Sequence, residues 1–201
     1  EFERESVRRL VSRVDAVVGF CETALDEVIR VFPEAESKQH FVIPHGNYCD
    51  DYAPPESQKV ARMQLGIPEG VHVILFFGSL RTNKGIDSLI EAFARMNRED
   101  VYLVIAGGNE TPQVGKILDG SVSHPQVSLN RRLIEPNEVP LFFGAADIVA
   151  LPFRSIFNSG SVILALSMSR CVVLPEVASL IEGLPSNALF PYKQQDNDAL
   201  A

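Results

Sequence analysis

The residues best suited to chemistry in this chain are two cations and one run of small polar residues. Arg81 and Lys84 lie in Gly78-Ser79-Leu80-Arg81-Thr82-Asn83-Lys84-Gly85, between an apolar strand pattern and a helix pattern. Pro152-Phe153-Arg154-Ser155-Ile156-Phe157-Asn158-Ser159-Gly160-Ser161 follows another strand and runs into an almost wholly apolar helix from Val162 to Met168. Asn158, Ser159 and Ser161 are good capping types, and Gly160 lets another molecule approach the backbone closely. The first turn of that helix holds no Asp or Glu, so its positive end and free amides are not neutralised by the chain itself. Such an end attracts anions; the same residues also fit an ordinary serine cap on a core helix. A lysine just before a helix start opposes the dipole by roughly a few tenths of a kcal/mol, which favours reading Lys84 as placed for a ligand. Arg81 and Lys84 together offer a diphosphate one bidentate and one point-charge contact. The loop is not a Walker A sequence, because lysine precedes glycine and isoleucine follows, and it is not G-x-G-x-x-G.

The elements that must position these residues alternate between strand and helix. Val71 to Phe77 is a nearly continuous apolar run closed by Gly78, as in a parallel strand buried on both faces. Ile86, Leu89, Ile90 and Phe93 fall on one helical stripe. Val101 to Ala106 predicts a strand ending in Gly107-Gly108-Asn109, followed by a helix near 114–118, a strand at 127–129 and Arg131-Arg132-Leu133. Pro136 to Val139 opens a short helix through Phe143. Asp147 to Phe153 is the strand before the serine-rich turn, Cys171 to Leu174 follows its helix, and Asn187 to Tyr192 reads as one more strand. The fold expected is α/β: a Rossmann-like open parallel sheet with helices on both faces. Ligands in such folds bind beyond the carboxyl ends of the strands. There the unusual residues gather: 78–85, 107–109, 131–134 and 154–161.

Before Pro44 the pattern gives a helix at 7–14, a short strand at 16–20, an amphipathic helix at 22–32 and Phe41-Val42-Ile43. Residues 50–68, polar and proline-containing, read as a connection between domains. With 201 residues and 46% hydrophobic content, the chain can bury a sizeable core. Its net charge of −8 with scattered basic residues disfavours nucleic acid or an anionic membrane as a partner through this half. Three widely spaced cysteines without C-x-x-C suggest a reducing compartment, and no apolar run is long enough to span a bilayer. With no secretory leader pattern at the start, the expected setting is cytoplasmic. No histidine pair has metal spacing; His72 is expected to be packed in its strand, and His45 marks a turn. Asp196-Asn197-Asp198 reads as helix capping rather than a metal motif.

Phe76 to Phe93, Tyr102 to Gly108, Ala145 to Pro152 and the Ser159-Gly160-Ser161 helix stand in the order and spacing of a known family. The chain resembles the C-terminal donor-binding domain of GT-B glycosyltransferases of the family 4-like group, the glycosyl transferases group 1. Val42-Ile43-Pro44-His45-Gly46 resembles the hinge into that domain. The resemblance implies that residues 1–43 are a remnant of the N-terminal domain with the hinge. Residues 44–201 would then be the nucleotide-sugar-binding domain, cut before its final helices. It further implies transfer of a sugar from a UDP- or GDP-linked donor to a carbohydrate or lipid-linked acceptor held by the missing domain. No metal and no other cofactor are expected. By this analogy Arg81 and Lys84 neutralise the diphosphate, and Gly78, Ser79 and the Asn158-Ser159-Gly160-Ser161 turn approach its oxygens. Gly107, Gly108, Asn109, Arg132, Leu133 and Ile134 would flank ribose and base. Two departures stand out. Ser79 replaces the usual basic residue, and Ile156 and Leu164 occupy the positions of two glutamates eight apart, making a Ser-Gly-Ser variant of that motif. Arg154 either reaches the phosphate or sugar in their place or is a surface arginine. A nucleotide-sugar epimerase of the same fold and a non-catalytic nucleotide-sugar-binding subunit are the alternatives, and the fragment alone is expected to bind without catalysing.

Overall fold

The computed structural model describes residues 2–121, 124–194 and 200. They divide into two compact units, Glu1–Gly46 with Val177–Leu184, and Asn47–Glu176 with Pro185–Ala201.

The larger unit carries six parallel strands: β3 (His72–Phe77), β4 (Val101–Ala106), β5 (Val127–Asn130), β6 (Ile148–Ala150), β7 (Cys171–Pro175) and β8 (Leu189–Tyr192), in spatial order β5-β4-β3-β6-β7-β8. Helices lie on both sides, as expected for the α/β class. Between β3 and β4 runs α4 (Ile86–Met96), and between β4 and β5 runs α5 (Pro112–Ser121). After β5 the chain passes through α6 (Val139–Ala145) to the other side of β3, and α7 (Gly160–Ser167) then joins β6 to β7. Strand order therefore reverses between β3 and β6, the switch point beyond whose carboxyl ends ligands bind in open α/β sheets.

Leu75 and Phe76 of β3, Leu103 and Ile105 of β4, and Val149 of β6 are fully buried, which explains apolar runs without alternation. Each such side chain contributes about 1.5–3 kcal/mol through burial. β6 is shorter than the predicted 147–153. Asp147 turns its carboxylate to the Val73 amide (2.7 Å) and to Arg62 (2.7 Å). Leu151 to Phe153 stay buried beyond β6: the Leu151 amide still donates to the Val173 carbonyl (2.9 Å), but the Phe153 amide turns back to the Leu151 carbonyl at 2.9 Å.

The segment expected to be a plain connection holds a helix, α3 (Gln58–Gln64). Tertiary contacts make it: α3 packs on α6, Ala61 is buried, and Arg62 bonds Asp147 and the carbonyls of Val71 and Ala145. A Cβ on Gly144 would lie 2.6 Å from the Glu56 carbonyl oxygen, so this glycine lets the two segments meet. His72, expected to be packed, is exposed at the first position of β3.

In the smaller unit, β1 (Ala16–Gly19) pairs in parallel with β2 (Gln39–Val42), and the helices are α1 (Phe2–Val11), α2 (Glu22–Val31) and α8 (Ala178–Ile181). The Glu182 carboxylate accepts the amides of Glu22 (2.9 Å) and Thr23 (3.0 Å) at the start of α2, satisfying donors that a helix leaves open. Hydrogen bonding from Thr23, by side chain and then by backbone, lowers the Glu182 carboxyl below its ordinary range. A lowered folded-state value stabilises above the ordinary carboxylate range, and the contribution is lost as pH falls through the lowered value. Glu182→Gln is therefore expected to unfold at lower denaturant than wild type at pH 7. The gap should narrow as acid protonates Glu182; urea titrations across pH check this.

Candidate functional site

Three loops meet at the carboxyl ends of β4, β3 and β6, and glycines let them close. Gly107 has φ 155°, and a Cβ there would lie 1.7 Å from the Gly78 carbonyl oxygen. The Leu80 amide donates to Gly108 (2.8 Å) and the Thr111 amide to Leu80 (3.0 Å), tying the loops after β3 and β4. A Cβ on Gly108 would lie 2.9 Å from the Leu133 nitrogen, which brings in the loop after β5. On the other side Gly85, at φ 70°, sits where a Cβ would be 1.8 Å from the Pro152 carbonyl oxygen. The Arg154 amide donates to the Asn83 carbonyl at 3.0 Å, and Asn83 Nδ2 to the Ser155 carbonyl at 3.5 Å.

The amino end of α7 opens into this junction. Ser159 is its N-cap in extended geometry, but its hydroxyl makes no cap bond and is buried without a hydrogen-bond partner. The first turn carries no acid, so its leading amides keep the positive end of the helix dipole. Ser161 stands against the neighbouring strand end: a Cβ on Gly78 would lie 3.1 Å from its Oγ. Gly78, Ser79, Gly107, Gly108 and Ser159 to Ser161 thus belong to one junction, whereas Asn109 and Asn158 are exposed at its margin.

Charge is distributed unevenly over this edge. Lys84 is half-buried, with Nζ 4.6 Å from the centroid of the Phe153 ring. Burial, and secondarily the charge of Arg81, lowers its pKa. Among the described residues neither Lys84 nor Arg81 has a carboxylate partner. The other arginines of the edge do. Arg154 pairs with Asp87 in the first turn of α4, Arg132 with Glu138 (2.5 Å), and Arg131 with Glu110 (2.6 Å) and Asp119 (2.5 Å). The Arg132 guanidinium, with the Glu135 amide, holds the Glu138 carboxyl down to about 2. Leu133 is exposed and Ile134 buried. Ile156 is half-buried and Leu164 buried.

Sequence reasoning missed three residues here. Phe153 read only as a strand end, and Asp87 and Gln194 carried no reading of their own, although Gln194 Nε2 donates to the Phe153 carbonyl at 2.5 Å. These contacts join positions 41 and 67 residues apart, which no local pattern reveals. Asp196-Asn197-Asp198 lies outside the described residues. Among those described, no three His, Cys, Asp or Glu side chains cluster as a metal would need, and Cys21, Cys49 and Cys171 are free thiols. A groove of about 550 Å³ lined by Gln58, Arg62, Met63 and Ile67 lies at the opposite ends of the strands, where Arg62 is committed to Asp147.

Residues 71–201 match the family described as Glycosyl transferases group 1. The D-inositol 3-phosphate glycosyltransferase of Xylanimonas cellulosilytica is 26% identical over 185 residues, covering 88% of this chain and 43% of that protein. The GDP-mannose:glycolipid 4-beta-D-mannosyltransferase of Xanthomonas campestris pv. campestris is 26% identical over 162 residues, covering 79% and 44%. The chain thus spans less than half the length of these relatives. Among solved structures, Anabaena HepE in complex with UDP and glucose superposes with a TM-score of 0.81 at 18% identity, covering 99% of this chain and 55% of that one. Sucrose-phosphate synthase from Thermosynechococcus elongatus gives 0.80 at 19% identity, covering 99% and 50%. At these identities the likeness is one of fold, and the fold is that of GT-B glycosyltransferases.

Proposed function

The chain belongs to the Glycosyl transferases group 1 family, and from that premise we propose that it is the donor-binding half of an enzyme transferring a sugar from a nucleotide-sugar to an acceptor. One observation carries the reading. Among the described residues, two cations without carboxylate partners stand at the same loop junction as a helix amino end whose capping hydroxyl is buried and unpartnered. When the bond from the anomeric carbon to the diphosphate breaks, negative charge develops on the departing oxygen. Lys84, Arg81 and the leading amides of α7 would stabilise that charge without a metal. Gly78, Ser79 and Ser161 would approach the phosphate oxygens, and Gly107, Gly108, Asn109, Arg132, Leu133 and Ile134 would flank ribose and base. Arg154, held by Asp87, would frame the site rather than bind phosphate.

In this reading residues 1–43 are the hinge and the end of the acceptor-binding domain, through which a carbohydrate or lipid-linked acceptor is presented in the cytoplasm. Ser159-Gly160-Ser161, with Ile156 and Leu164, is a variant of the two-glutamate motif in which hydroxyls and amides replace carboxylates. That substitution also favours a second reading, a subunit that binds a nucleotide-sugar without transferring it. The HepE structure contains UDP and the Xanthomonas relative is named for GDP-mannose, so the donor is proposed as UDP- or GDP-linked.

Calorimetric titration with UDP, GDP and ADP tests the donor site. One diphosphate is expected to bind, with affinity unchanged by EDTA and weakened by salt; absence of binding by all three would sink the proposal. Incubating full-length protein with candidate donors and acceptors then separates transfer from epimer formation and from binding alone.

A further inference from the structure

The way Lys84 is held differs from every other paired cation at this edge. Resting on the reading of Lys84 as a diphosphate contact, we infer that Phe153 is a positioning residue whose ring face orients the Lys84 ammonium while leaving its charge available to the incoming diphosphate.

The Lys84 Nζ stands 4.6 Å from the ring centroid, within the range of an ammonium held over an aromatic face. The platform is fixed. Phe153 is 1% exposed. Its amide donates to the Leu151 carbonyl at 2.9 Å, and its carbonyl accepts Gln194 Nε2 at 2.5 Å. The same Nε2 reaches the Arg154 carbonyl at 3.2 Å, and the Arg154 amide is bonded to Asn83, next to Lys84. Ring and lysine are therefore tied together through their chain neighbours, Arg154 and Asn83.

The contrast with Arg154 gives the arrangement its meaning. A carboxylate such as Asp87 orients a cation by neutralising it, and an arriving phosphate would have to compete with that carboxylate. An aromatic face attracts the cation through its quadrupole but carries no net charge and leaves N–H donors free. Half-burial, with no counter-ion among the described residues, disfavours the charged lysine, in line with its lowered pKa. A diphosphate settling on it would reverse that penalty.

Pentafluorophenylalanine at position 153 of the full-length protein inverts the quadrupole while nearly keeping the ring's shape. With Lys84 present, UDP or GDP affinity is expected to fall about five- to tenfold; in a Lys84→Ala background the same replacement should leave affinity unchanged. Undiminished affinity with Lys84 present overturns the inference. So does an equal loss with and without Lys84, which would make the ring a packing element only. If the fluorinated protein does not fold, Phe153→Leu takes its place in the same cycle with the same criteria. Wild-type protein that binds no nucleoside diphosphate overturns the donor-site reading and this inference with it. Wild-type binding with a flat cycle overturns this inference alone.

Discussion

Replacing Lys84 by alanine is expected to lower sugar transfer by the full-length protein roughly a hundred- to a thousandfold, the usual cost of removing one preorganised donor to a developing oxyanion. The loss should fall mainly on kcat, because charge on the diphosphate is greatest as the sugar departs. Stability should change little: the lysine has no carboxylate partner among the described residues and gains only its contact with Phe153. Initial rates at saturating donor, with a urea midpoint measured beside them, check both halves. A variant that stays folded and transfers sugar at the wild-type rate would remove Lys84 from the chemistry. Arg81→Ala is expected to act in the same direction but more weakly, since Arg81 is exposed and better screened by water.

The second large effect concerns Gly85→Ala. Gly85 has φ 70°, where alanine costs about 1–2 kcal/mol from backbone sterics alone. Its Cβ would also lie 1.8 Å from the Pro152 carbonyl oxygen, a backbone atom that cannot turn aside. The loops after β3 and β6 would have to part, separating Lys84 from Phe153. Destabilisation of more than about 3 kcal/mol is expected. Gly66→Ala is the matched control, at φ 67° with nothing within 4 Å, and should cost only about 1–2 kcal/mol. Similar urea midpoints for the two variants would show that the loops separate easily.

The sheet was legible because burial on both faces writes itself as uninterrupted apolar runs. β4 has the predicted bounds, β3 differs by one residue, and α7 opens at the Ser-Gly-Ser turn as expected. Elements held by distant partners were not legible. α3 has Ala61 as its one buried residue and depends on Arg62 finding Asp147, 85 positions away. The end of β6 at Ala150 was not legible either, because Phe153 turns its amide back to the Leu151 carbonyl instead of pairing with a neighbouring strand. At the site, the glycines and cations were visible as residue types in a suggestive order. Which cations gain a carboxylate partner was not visible, because Asp87 and Glu138 reach Arg154 and Arg132 only after folding. The same holds for Phe153, whose ring becomes a platform only when Gly85 brings Lys84 against it.

Glu182 caps a helix that begins 160 positions earlier, and Cys21 Sγ lies 3.8 Å from the Ser179 carbonyl oxygen within the same unit. During synthesis at about 5–20 residues per second, α2 therefore leaves the ribosome roughly ten to thirty seconds before the segment that closes its amino end. Through that interval β1, α2 and β2 hold only their local contacts, while the whole of β3 to β7 is being made. The smaller unit begins before the strands of the larger one and is closed only after β7. A stalled or prematurely terminated chain would leave that helix end open to solvent and to chaperones.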